Sequence, residues 1–70
     1  MEHEGDLVLD ADLALDENLI VHGDIAGRDG RRFNIRAENI NAENINAENI
    51  RAWDIRAHDI NAWNIDAENI

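Results

Sequence analysis

The chain has 70 residues, no cysteine, and 16 acids against 6 arginines, a formal net charge of −10. Disulfides are excluded, and so is a direct hold on nucleic acid or an anionic membrane, since both repel an acidic protein. One small domain is the only reasonable count. So small a core needs help from a repetitive backbone ladder, an oligomer or both.

The first residues are acidic and carry no apolar h-region, so no signal peptide is expected. The apolar run at residues 19–21 is far too short to span a bilayer. The cytoplasm is therefore the expected compartment. From residue 6 a six-residue rhythm begins. Leu7, Leu13, Leu19 and Ile25 each follow an acid or an asparagine, namely Asp6, Asp12, Asn18 and Asp24. Leu9, Leu15 and Val21 follow two positions later, and large residues at both places predict a wide cross-section. The segment Gly27, Arg28, Asp29, Gly30, Arg31, Arg32 breaks the rhythm and predicts a protruding loop, with Phe33 as an inward plug beside it.

From residue 34 onward a five-residue unit takes over: Asn or Asp, Ile, variable, Ala, variable. Isoleucines stand at 35, 40, 45, 50, 55, 60, 65 and 70, and alanines at 37, 42, 47, 52, 57, 62 and 67. A period of five scatters positions about 140° apart around a helix, so no apolar face would form. Within each unit, however, Ile and Ala are two apart, which is strand spacing and puts both on one side. Asn and Asp suit the corners, because they tolerate tight-turn backbone. The expected fold is all-β, a single-stranded β-solenoid over residues 1–70. It has hexad-like turns over 6–33, a loop at 27–32 and pentapeptide turns over 34–70. Almost no helix is expected, and all isoleucines and alanines from 35 to 70 should be buried. The alternative register would bury Glu38, Glu43 and Glu48 without partners, at high cost.

At these residues the chain resembles the pentapeptide-repeat proteins, strongly over 34–70 and loosely over 6–25. That resemblance implies a right-handed, four-sided β-helix. The hexad half also looks like the triangular β-helix of bacterial cytoskeletal bactofilins, so four sides and three both stay open. Some pentapeptide-repeat proteins act on DNA gyrase by imitating DNA. Acidic phage-encoded inhibitors treat defence nucleases of the CRISPR type similarly, so a phage-encoded protein acting in a host cytoplasm is one expectation.

Function can then reside only in the outward columns. The position after alanine reads Glu38, Glu43, Glu48, Trp53, His58, Trp63, Glu68. The expected acidic partner-binding surface is Asp10, Asp12, Asp16, Glu17, Glu38, Glu43 and Glu48, facing a basic, nucleic-acid-binding protein. The plainer reading is a solubility coat that discourages edge-to-edge aggregation. Trp53, Trp63, Ile65 and Ile70 are expected in a partner or dimer contact, the dimer joining through the C-terminal turn. Arg28, Arg31 and Arg32 read as an ordinary solvated loop rather than a phosphate site. There is no serine, threonine, tyrosine, cysteine or lysine. No catalytic, cofactor-binding or metal-ligating residue is nominated, and the expected protein is not an enzyme. The alternative function is a stackable module of a fibre or filament.

Overall fold

The computed structural model describes residues 1–69. Ten short strands follow one another: β1 (Glu2–Glu4), β2 (Leu7–Leu9), β3 (Leu13–Ala14), β4 (Leu19–His22), β5 (Ile25–Gly27), β6 (Ile35–Arg36), β7 (Asn39–Asn41), β8 (Asn44–Arg51), β9 (Asp54–Arg56) and β10 (Asp59–Asp66). Every pairing between them is parallel. One turn of 3₁₀ helix, Arg28–Gly30, lies in the predicted loop. This is the β-solenoid that the repeats predict.

The offset between paired residues counts the sides. Ile35 stands opposite Ile50, Ile40 opposite Ile55 and Ile45 opposite Ile60, so one circuit takes 15 residues, or three pentapeptides. The four-sided prism implied by the pentapeptide-repeat resemblance is therefore corrected to a triangular one. In the first circuit Glu2 faces Ile20 and Leu7 faces Ile25, an offset of 18, or three hexads. The N-terminal turn is longer, as its large inward residues require.

The three faces follow directly. Face 1 holds β1, β4, β7 and β9. Face 2 holds β2, β5 and the first parts of β8 and β10; face 3 holds β3, β6 and their second parts. β8 and β10 each run unbroken around the edge between faces 2 and 3. Four rungs stack along the axis, starting near residues 1, 19, 40 and 55.

The interior is columns of identical side chains. Ile35, Ile40, Ile45, Ile50 and Ile55 are all 1% exposed, and Ala37, Ala42, Ala47 and Ala52 are buried beside them. A rung on either side deepens burial. Ala57, Ile60, Ala62 and Ala67 have one on one side only and are half-buried, while Ile65 is 38% exposed. The expectation of full burial from 35 to 70 is thus corrected over 57–67, while Ile55 is buried as expected; Ile70 lies outside the described residues.

Asparagines bind the corners together. On the edge between faces 2 and 3, Asn34 donates to Asp12 (3.3 Å), Asn49 to Asn34 (2.9 Å) and Asn64 to Asn49 (2.9 Å). A carboxylate cannot donate, so an Asp can only receive. Asp54 accordingly accepts from Asn69 at 2.8 Å and, with the Asn39 amide turned toward it, from Asn39 at 3.2 Å. Such ladders fix the register rung by rung, because every misplaced rung would leave amides unpaired.

The loop closes tightly on its own start. A Cβ on Gly27 would lie 2.0 Å from the Arg31 carbonyl oxygen, so only glycine fits. Phe33 packs, partly buried, against the core at this point, as the sequence suggested.

Candidate acidic binding face

A column that looks continuous in sequence is dealt around three edges by the triangular fold. The backbone of Trp53 pairs with Glu38 and Glu68, and that of His58 with Glu43. Ala62 stands opposite Ala47 and Asn64 opposite Asn49, which sets Trp63 above Glu48. Trp53 therefore sits on the edge between faces 3 and 1, and Trp63 on the edge between faces 2 and 3. The two tryptophans, 72% and 67% exposed, do not form one patch. Glu38, Glu43 and Glu48 likewise occupy three different edges.

The N-terminal acids are split in the same way. Asp10 and Asp12 lie between faces 2 and 3, whereas Asp16 and Glu17 lie between faces 3 and 1. Most already have partners. Asp12 accepts from the backbone N–H of Asn34 at 2.9 Å. Asp10 pairs with the Arg28 guanidinium, whose Nη2 is 3.4 Å from Oδ2. Glu17 receives the Met1 ammonium at 2.8 Å. Asp16 makes no such bond among the described residues.

Carboxylates and arginines divide unequally among the sides. The edge between faces 1 and 2 carries Glu4, Asp6, Asp24, Glu43 and Asp59. The edge between faces 3 and 1 carries Asp16, Glu17, Glu38, Asp54 and Glu68. With Glu2 on the face between them, that is eleven carboxylates against one arginine, Arg56. The rest of the surface holds five carboxylates (Asp10, Asp12, Asp29, Glu48, Asp66) and five arginines (Arg28, Arg31, Arg32, Arg36, Arg51). The net charge of −10 thus resides on face 1 and its two edges, and the remaining surface is neutral.

Each rung places at least one carboxylate on each of these edges. Rungs repeat at about 4.8 Å, and a five-residue side spans at most about 16 Å. The result is two parallel rows of negative charge flanking a face whose centre is Glu2, Ile20, Asn41 and Arg56.

Histidine modulates one row. On the edge between faces 1 and 2, Glu4 stands opposite His22, and Glu43 pairs with Gly23 below and His58 above. His22 Nε2 lies 2.6 Å from Glu2 Oε2 and 3.7 Å from Glu4 Oε2. The Glu2 hydrogen bond, and then the Glu4 charge, raise the His22 pKa above the ordinary imidazole value. A shallow cavity of about 610 Å³ lies along this edge, lined by His22, Glu43, Arg56 and His58 among others. On the opposite side, the Arg28 hydrogen bond holds the Asp10 carboxyl below its usual value.

Residues 28–31 are exposed, as expected of a solvated loop, and Arg32 departs from that expectation. Arg28 is held on Asp10. Arg32 Nη1 donates to the carbonyls of Ala47 (3.1 Å) and Asn61 (3.4 Å), and its guanidinium lies 6.0 Å from the Trp63 ring centroid. The loop is strapped down across face 2. Arg31 alone of the three makes no side-chain hydrogen bond among the described residues.

No helix in the described residues is long and apolar enough to cross a membrane. Comparison with family models, with curated proteins and with solved structures finds no match to this chain.

Proposed function

We propose that this protein is a non-enzymatic DNA mimic that occupies the cationic nucleic-acid-binding groove of another protein and inhibits it. The observation that carries the reading is the pair of carboxylate rows bordering face 1, one charge or more per rung on each side. Duplex DNA likewise presents two rows of phosphates, with one charge every 3.4 Å or so per strand, across grooves about 12 Å and 6 Å wide. A β-ladder holds its carboxylates without the ordering cost that a flexible acidic tail would meet on binding. The neutral remainder of the surface argues for a directed charge rather than a uniform solubility coat, which would cover all three faces. Targets of the type implied by the resemblance are a gyrase or a phage-defence nuclease, acting in the bacterial cytoplasm.

The experiment is capture from a bacterial lysate on immobilised protein, with and without excess duplex DNA. A captured protein that binds DNA, is displaced by DNA and elutes at raised salt supports the reading. Capture indifferent to both DNA and salt refutes it.

One observation favours a second reading, a stackable module that joins copies end to end. In the fourth rung Ile65 is 38% exposed and Ile60 only half-buried, so these two apolar side chains are accessible to a second copy. A homodimer through this turn is the simplest version.

A further inference from the structure

Two tryptophans occupy equivalent outward positions, and only one of them carries a cation. Over Trp63 lies the guanidinium of Arg32, 6.0 Å from the ring centroid. Among the described residues no other cation lies over an aromatic ring. Trp53 is the corresponding residue on the edge between faces 3 and 1, and it is 72% exposed. Its column holds carboxylates on both sides; Arg36 and Arg51 of face 3 line the same cavity as Trp53, Arg51 facing Asp66 at 3.7 Å, and neither lies over the indole. Glu38 lies one rung below and Glu68 one rung above in the same column, joined through Trp53 N to Glu38 O (2.8 Å) and Glu68 N to Trp53 O (2.9 Å). Asp54 follows it on the same corner.

A planar cation stacked on this indole would meet the negative ring face and a carboxylate on either side, each about 4.8 Å along the ladder. Guanidinium suits this geometry better than ammonium, because it stacks flat and donates in the plane to carboxylates. The protein's own Arg32 on Trp63 displays the ring contact already made.

We infer that Trp53, with Glu38 and Glu68, receives an arginine side chain from a partner protein. The inference rests on the acidic-face reading and deepens it. Trp53 lies in one of the two carboxylate rows and supplies the point that distinguishes an arginine-lined groove from a merely positive one. An exposed large aromatic beside charge is also the usual make-up of a residue that dominates an interface.

The test uses the whole chain, labelled with ¹⁵N, and nona-arginine as probe. Calorimetry measures affinity, and the two indole N–H resonances, assigned with Trp53→Leu, report location. The expected result is a saturable shift of the Trp53 indole, with little change at Trp63, whose ring is occupied. Trp53→Leu, and separately Glu38→Gln with Glu68→Gln, should each weaken binding by about fivefold to tenfold. Glu48→Gln, on the far edge, should leave affinity within about twofold. Peptide binding that leaves the Trp53 indole unmoved, or survives Trp53→Leu unchanged, overturns the inference while the acidic-face reading stands. Failure of nona-arginine to bind at all overturns both.

Discussion

Ile45 is the position where the packing account can be tested quantitatively. It is 1% exposed and sits in one column between Ile25 below and Ile60 above. Ile45→Ala removes three carbons from a site with a rung on each side, and a stack held by ladder hydrogen bonds cannot collapse to refill the space. Truncations of this kind cost about 2–5 kcal/mol, and a rigid ladder places this one at about 3–4 kcal/mol. A 70-residue domain has about 3.5–10 kcal/mol of stability in all, so much of it would go. At about 4–8 °C per kcal/mol, the melting temperature should fall by about 15–25 °C. Ile65→Ala removes the same atoms where the side chain is 38% exposed and uncovered on one side, which should cost only about 1–1.5 kcal/mol. Glu43→Ala, on an outward edge, should change stability by less than about 0.5 kcal/mol. Ile45→Asp should unfold the chain, because a charge would enter the column unpaired. Thermal melts followed by circular dichroism check the series. Equal losses for Ile45→Ala and Ile65→Ala would refute the covered-on-both-sides explanation of burial.

Other outcomes follow from the ladders, the ion pairs and the open turn. Asn49 both donates to Asn34 and accepts from Asn64, so Asn49→Ala should cost about 1–3 kcal/mol in urea unfolding, well above the cost of Asn69→Ala in the outermost rung. By NMR, His22 should titrate above the ordinary imidazole value of 6.5, and Glu2→Gln should bring it down. Because its folded pKa is raised, its stabilising contribution is full below pH 6.5 and fades as pH rises through the folded value. Asp10 is the opposite case: its folded pKa is depressed below 3.8, so the Arg28 strap stabilises above that pH and lets go as pH falls through the folded value, which hydrogen exchange in the loop would report. If copies join through the fourth rung, light scattering should show a dimer that Ile65→Asn converts to monomer; a monomer at every concentration for the unmodified chain would remove the stacking reading.

The inside and outside of this prism were legible from the repeat alone. The Ile and Ala columns two apart demanded a strand face, and Glu38, Glu43 and Glu48 could not be buried without partners. The number of sides was not legible, because a pentapeptide corner can close a triangle or a square. Only the pairing of Ile35 with Ile50 decides that. Everything about the candidate site depended on this missing integer. With three sides, Glu38, Glu43 and Glu48 fall on separate edges, Trp53 parts from Trp63, and acids distant in sequence such as Asp24 and Asp59 come into one row. The sequence-based grouping of Asp10 and Asp12 with Asp16 and Glu17 followed adjacency along the chain, and the intervening corner separates them. Arg32 was read as solvated because a loop's direction is not encoded in local pattern; its contact with Trp63 joins residues 31 positions apart.

The claim that the charge is directed rather than general can be tested with two variants of equal net charge. One carries Asp16→Asn, Glu38→Gln and Glu43→Gln, all on the edges of face 1. The other carries Asp29→Asn, Glu48→Gln and Asp66→Asn, all elsewhere. Calorimetric affinity for the DNA-displaceable protein captured from lysate is the measurement. The account predicts a loss of about tenfold or more for the first variant and less than about twofold for the second. Equal losses would contradict it, since they would mean that only total charge is read and that the two carboxylate rows have no part as a shape.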